Sequence, residues 1–227
     1  MKKDKQKIKE IKRAMQTGIF PIQFRAAVKA VNTSLKQVQK QLSSEYDRDV
    51  IQSITSRQKT PSSIYTKLVK KDLEISFASA QRSIKDLIGV RAVCVFHDDV
   101  YAVAALLKAQ SHLTLIKEKD YIQNPKKNGY RSLHLVFDVP ILVKGVNYCV
   151  PVELQLRSMA MDYWSVAEHQ FVYKKKLPQA EAISKQLKQY ARELNKIDCK
   201  MQKLRDELTR QQILETQVSS YLVTAER

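Results

Sequence analysis

Hydrophobic positions in residues 3–17 fall on one helical stripe, with Ile8, Ile11 and Met15 along it and Gly18 placed to end it. Pro21 suits the first turn of a second helix. Along that helix Phe24, Val28, Val31, Leu35, Val38 and Leu42 repeat in steps of four and three. The middle of the chain changes period. Residues 50–57 read as a strand, Thr60 and Pro61 cap a helix to about Lys71, and a helix near 79–87 precedes a strand at 89–96. Asp98 or Asp99 caps a helix to about Gln110, and strands follow near 113–118, 130–138 and 149–157. Ser158 then opens a helix that carries Trp164 and Phe171, and Pro178 precedes a long terminal helix.

On that terminal helix Ile183, Leu187, Tyr190, Leu194, Ile197, Met201, Leu204 and Leu208 form a heptad stripe over more than three repeats. Such a stripe requires a partner helix, supplied either by the N-terminal helices or by another copy of the chain. Strands alternating with helices predict one mixed α/β domain flanked by helices, with long N- and C-terminal helices.

The 227 residues are 44% hydrophobic with a mean hydropathy of -0.39, enough to bury a core. No run of about 18 apolar residues occurs, so no transmembrane span and no membrane partner is expected. The charged start Met1-Lys2-Lys3-Asp4 lacks an apolar signal core, which predicts a cytoplasmic protein. The three cysteines (Cys94, Cys149, Cys199) include no CxxC pair and argue against a disulfide framework or a zinc site. The net charge of +17 calls for a polyanion: nucleic acid, an anionic surface or a nucleotide polyphosphate. Lys174, Lys175, Lys176 and the N-terminal lysines read as solvated faces.

Four blocks carry candidate chemistry. On strand 149–157, Val150, Val152, Leu154 and Leu156 alternate toward the core, so Glu153, Gln155 and Arg157 share the opposite face as a candidate cleft floor. Asp86 lies just before strand 89–96, on which Gly89, Arg91 and Val93 share a face. Carboxylates at the start of one strand and on another can hold a hard divalent cation, and Mg²⁺ needs only one or two of them plus substrate phosphates. The run from Lys119 to His134 is turn-rich and cationic through Lys119, Lys126, Lys127 and Arg131. Its Tyr130, Ser132 and His134 alternate onto one face, offering an aromatic plate for a base beside a phosphate-seeking loop. Arg57 and Lys59 end the first strand; Ser62 and Ser63 lie in the following helical turn, with Lys67 one turn on.

In this order the four blocks resemble the synthetase domain of the Rel family of alarmone (ppGpp) enzymes, and the whole chain resembles its stand-alone small synthetases. The resemblance runs from about Ile51 to Lys176. Its most specific pieces are Lys119-Asp-Tyr-Ile-Gln-Asn-Pro-Lys-Lys-Asn-Gly-Tyr-Arg-Ser-Leu-His134 and Val152-Glu-Leu-Gln-Leu-Arg157. It implies a nucleotidyltransferase-like fold, a mixed β-sheet flanked by helices, and a Mg²⁺-dependent transfer of pyrophosphate from ATP to the 3′-OH of GDP or GTP, in the stringent stress response. By position, Arg57 and Arg91 would sandwich adenine, and Lys59, Ser63 and Lys67 would hold the ATP phosphates. Asp86 and Glu153 would ligate Mg²⁺, with Glu153 the base for the acceptor hydroxyl. Tyr130 would stack on guanine, Lys119, Lys126, Asn128 and His134 would hold the acceptor, and Gln155 and Arg157 would complete the wall. The resemblance further implies a homotetramer.

The expected division is N-terminal helices over 1–48, a catalytic domain over 49–177 and a C-terminal helical segment over 178–227. Length leaves no room for a separate hydrolase domain, so synthesis alone is expected. The His97-Asp98 pair, which alone would suggest a phosphohydrolase, is expected to be a helix cap, and Glu168 and His169 are expected to serve packing. Asn128, Leu154 and Leu156 depart from commoner residues of the family without disturbing a role. Rival readings are pyrophosphate transfer to tRNA, transfer to an adenosine acceptor, and a non-catalytic RNA-binding module, the first and last of which the positive charge would suit.

Overall fold

The N-terminal stripe becomes two helices, α1 (Lys2–Gln16) and α2 (Phe20–Tyr46), in a computed structural model that describes residues 2–172 and 180–225. Gly18 ends α1 with φ 73°, a left-handed conformation that favours glycine. There follow β1 (Ile51–Gln58), α3 (Pro61–Lys70), α4 (Phe77–Ser83), β2 (Ile88–Cys94) and α5 (Asp99–Lys108). Then come β3 (Thr114–Asp120), β4 (Leu133–Val143), β5 (Val146–Ser158), α6 (Met159–Val172) and α7 (Ala180–Ala225). Lys174 to Lys176, Pro178 and the expected boundary at 177 lie outside the described residues.

The five strands form one sheet in the order β1-β2-β5-β4-β3, with β2 and β5 parallel and every other pair antiparallel. One face carries Val90, Ala92, Leu133, Leu135, Leu154 and Leu156, all buried in a core that includes Leu35 and Val38 of α2 and Val103 and Leu107 of α5. Ile11 and Met15 of α1 join that same core. Burying each such leucine contributes about 1.5–3 kcal/mol, which holds α2 and α5 to the sheet and leaves its other face open.

Two expected boundaries move. The helix near 79–87 is α4, which starts earlier, where Ser76 Oγ accepts from Ser79 N–H, and ends at Ser83. Residues 84–87 turn instead, because Ile88 must enter the sheet opposite Gln58 and Lys59 N–H donates to Leu87 C=O. The strands expected at 130–138 and 149–157 extend into a hairpin closed by Lys144 (φ 52°) and Gly145 (φ 79°). Pro140 lies within the extension of β4, and Pro151 lies within β5. Both prolines are tolerated because β3 stops pairing at Asp138 and β2 starts at Val152, so neither removes a hydrogen bond to a second neighbour.

Helix α7 packs on α6 through Trp164, Leu187 and Ala191, with Trp164 Nε1 donating to Leu187 C=O at 2.7 Å. Beyond that contact its stripe is uncovered: Ile197, Met201, Leu204 and Leu208 are each about half exposed. A second anchor lies further along. Arg205 forks onto Asp98, Arg48 forks onto the buried Asp99, and the two guanidinium groups stand 4.8 and 4.9 Å from the Phe96 ring.

Candidate active site

The open face of the sheet is ruled by two rungs that cross all five strands. One runs Arg57, Gly89, Glu153, Val136, Lys117; the next runs Thr55, Arg91, Gln155, His134, Lys119. Strand pleating puts both rungs on the same face, so cations from both sheet edges flank a central carboxylate. Above them lies an open cleft of about 890 Å³, walled by α6. A side chain at Gly89 would put its Cβ 3.3 Å from Arg57 Cγ, so the bare glycine lets the Arg57 stem lie across β2.

The turn before β2 presents Asp86, whose oxygens receive Lys59 Nζ and Lys67 Nζ at 2.9 Å each. Burial would raise the Asp86 pKa, but the hydrogen bonds and charges of the two lysines outweigh it and hold the carboxyl below its ordinary value. Glu153 is balanced in the same way. Burial pushes it up, His134 and Gln155 pull it down, the negative Asp86 pushes it up again, and the net shift is downward. Glu153 is therefore ionised throughout the neutral range.

The Lys119-to-His134 run is well tied rather than a loose basic hairpin. Asp120 Oδ1 accepts from the Ile122 and Gln123 amides at 2.7 and 2.9 Å, and Tyr101 Oη donates to Asp120 Oδ2 at 3.0 Å. Arg131 is not part of the cationic rim: it turns inward and donates to Ile122 C=O. Ser132 is likewise not on the cleft face but fully buried, its Oγ donating to Leu156 C=O at 3.0 Å. Asn128 Oδ1 accepts from the Tyr130 amide, and its Nδ2 donates to Glu168 Oε1. Lys126 Nζ stands 4.5 Å from the Tyr130 ring and 4.7 Å from the Tyr121 ring.

Gly129 is where this loop meets α7. Its φ is 97°, and an added Cβ would lie 2.7 Å from Ala191 Cβ. Gly129→Ala should therefore cost more than about 1 kcal/mol and displace Tyr130, so that the melting temperature falls. Unchanged melting would show that α7 does not fix the loop.

Of the residues singled out in the sequence, Arg57, Lys67, Asp86, Arg91, Lys119, Lys126, Tyr130, His134, Glu153, Gln155 and Arg157 line this one cleft. Lys59 reaches it through Asp86 and Asn128 through Glu168. Ser63 sits at the start of α3, where its amide and hydroxyl both bond the Thr60 cap. Lys117, Tyr121, Glu168 and His169 also line the cleft. Lys117 was legible as the residue two before Lys119 on the same strand face. Asp162, in the first turn of α6, takes Arg157 five residues before it at 2.9 Å and Arg91 at 3.3 Å, the latter a contact 71 positions apart that no local pattern announces.

Among the described residues no group of three or more His, Cys, Asp or Glu is arranged to hold a metal alone. Asp86 and Glu153 nevertheless suit a hard divalent cation. They face one cleft, the charge of Asp86 bears on Glu153, and the remaining ligands of such a cation are usually phosphate oxygens and water. Among the described residues no helix is long and apolar enough to cross a membrane.

Residues 56–177 match the region found in RelA and SpoT proteins. The chain is 36% identical over 186 residues to the Bacillus subtilis GTP pyrophosphokinase YwaC, covering 82% of this chain and 88% of that one. It superimposes with a TM-score of 0.74 on small alarmone synthetase 1 from Bacillus subtilis bound to its product pppGpp, at 30% identity and over 84% of this chain and 96% of that one. The same synthetase bound to AMPCPP gives a TM-score of 0.67 at 26% identity, over 82% and 94% of the respective chains.

Proposed function

This chain belongs to the RelA/SpoT family, and we propose that it is a GTP pyrophosphokinase that makes the alarmone (p)ppGpp from ATP and GDP or GTP in the stringent response. The observation that carries the reading is the pair Asp86 and Glu153, two carboxylates on the floor of a cleft otherwise rich in cations, with guanidinium groups at one side and an aromatic plate at the other. In the proposed reaction the acceptor 3′-oxygen attacks the β-phosphorus of ATP, the bond to the bridging oxygen breaks, and AMP leaves. The hydroxyl proton passes to Glu153.

Arg57 and Arg91 flank adenine, while Lys59, Ser63 and Lys67 hold the donor phosphates; the AMPCPP complex of the relative supports an adenine nucleotide in this role. Tyr130 stacks on guanine, with Lys119, Lys126, Asn128 and His134 around the acceptor and Gln155 and Arg157 behind it. Proteins of this family act on nucleotides and generally use a divalent metal; here the cation would be Mg²⁺, and Asp86 and Glu153 would hold it. When bound it supplies charge neutralisation at the phosphates and a lower pKa for a nearby hydroxyl. The chain's own part is alignment and a fixed cationic field, which in phosphoryl transfer is most of the catalysis.

The reading is synthesis alone. Asp98 caps α5 and is gripped by Arg205, so the His97-Asp98 pair is used structurally. Catalysis is assigned to 49–177, with 1–48 and 178–227 as flanking helical segments, and the protein is assigned to the cytoplasm, where its nucleotides are and where Cys94, Cys149 and Cys199 stay reduced.

Label from β-labelled ATP should appear on GDP or GTP in the presence of Mg²⁺. Transfer to bulk tRNA alone would make the chain an RNA-modifying relative, and binding of RNA without any transfer would replace the reading with a binding module. The exposed stripe of Ile197, Met201, Leu204 and Leu208 is assigned to self-association, as the homotetramer of the family resemblance requires. Light scattering should give a multiple of the 26.2 kDa chain mass, reduced by Leu204→Glu; a monomer at micromolar concentration would remove that assignment.

A further inference from the structure

Five side chains on the cleft floor close into one ring of hydrogen bonds. Arg157 Nη2 meets Tyr130 Oη at 2.9 Å and Gln155 Oε1 at 3.2 Å. Gln155 Nε2 meets Glu153 Oε2 at 2.8 Å. On the other side Tyr130 Oη and His134 Nε2 are 2.7 Å apart, and His134 Nδ1 is 3.3 Å from Glu153 Oε1.

The directions follow from the donors available. A guanidinium only donates, so the Tyr130 oxygen and the Gln155 carbonyl both accept from Arg157. The single phenolic hydrogen is then free for His134 Nε2, which leaves the Nδ1–H to donate to Glu153. The Gln155 amide nitrogen, turned away from Arg157, donates to the other Glu153 oxygen. Two arms thus start at Arg157 and end on the two oxygens of Glu153. The starting point is rigid: Arg157 is 3% exposed, and its other nitrogen is held by Asp162 at 2.9 Å.

Stacking a purine uses only the face of the Tyr130 ring, which a phenylalanine presents equally well. The hydroxyl has a separate task in the ring. We propose that the Tyr130 hydroxyl is a positioning group for Glu153, acting through His134, so that the side chain that receives the acceptor's base also sets the carboxylate that takes the acceptor's proton. With one lone pair of each oxygen occupied by the ring, the plane of the carboxylate is fixed and its remaining lone pairs face the cleft. The coupling also gives acceptor occupancy a direct line to the reacting group. This inference rests on the proposed role of Glu153 as base.

Tyr130→Phe separates the two tasks. Expected are a wild-type melting temperature, KM values for acceptor and ATP within about three-fold of wild type, and a kcat lowered roughly 10- to 100-fold, the scale on which a displaced catalytic group acts. In the Glu153→Gln background the same change should alter single-turnover rates by less than about two-fold, because a group acting only through Glu153 has nothing left to position. A wild-type kcat in Tyr130→Phe, a rise confined to acceptor KM, or equal losses in both backgrounds would each overturn the proposal. Absence of labelled guanosine product with the wild-type protein would instead overturn the function reading, before the variants are compared.

Discussion

Glu153→Gln should lower kcat by roughly 10³-fold while ATP binding stays within a few-fold of wild type. The substitution keeps the volume and one hydrogen-bond acceptor but removes the negative charge and the proton-accepting oxygen. Glu153 lies between Gly89 and Val136 on the central rung, and neither neighbour offers a carboxylate at its place on the cleft floor. His134 and Gln155 pull the Glu153 pKa below normal against the effect of burial. As the proposed base, Glu153 is thus already charged at neutral pH, and its protonation should limit the rate only on the acid side. Transfer from β-labelled ATP to GDP and GTP measures the loss directly, with isothermal titration of ATP as the binding control. Turnover close to wild type would remove Glu153 from its proposed role and pass it to another proton acceptor of the cleft such as Asp86 or Glu168.

Asp99→Ala should destabilise the fold by about 3–5 kcal/mol, as expected when one partner of a buried ion pair is removed. Asp99 is 1% exposed and receives Arg48 at 2.6 and 2.9 Å and the Phe96 amide at 3.0 Å. Its loss leaves the Arg48 guanidinium and an amide without their carboxylate beside Phe96, where Arg205 brings α7 to the domain. For a domain of this size the drop in melting temperature is roughly 10 °C. Calorimetry with and without 1 M salt reads it; an exposed pair would be screened, whereas this one should not be. A melting temperature within a degree or two of wild type would show that the Asp98–Asp99 turn does not anchor α7.

Much of the floor was legible because strands alternate strictly. Glu153, Gln155 and Arg157 fall on the face opposite Val152, Leu154 and Leu156 by period alone, and Arg91 is the one residue of β2 that is not fully buried. Lys119 and Lys126 were legible from charge in a turn-rich run, and Thr60 from its place before Pro61. Arg131 and Ser132 read wrongly for the same reason that Lys119 read correctly. Composition records that a residue is polar, but not whether its hydrogen bonds end in solvent or on a buried carbonyl.

By itself the sequence determined the order of strands and helices, which face of β5 is apolar, and a set of motifs specific enough to imply the family and its chemistry. Those are local properties, set by pleat, helical period and the residue types a phosphate site needs. The tertiary structure alone decided that β2 lies parallel to β5, which aligns Gly89 with Glu153 and Arg91 with Gln155. It also decided that Asp162 holds Arg91 and Arg157, that α7 covers Gly129, and that Tyr130, His134, Glu153, Gln155 and Arg157 close into a ring. The reason is that each of these arrangements is closed by a long-range contact, from His134 with Glu153, 19 positions apart, to Arg91 with Asp162, 71 apart, and such contacts depend on how whole elements pack once the core has fixed the sheet.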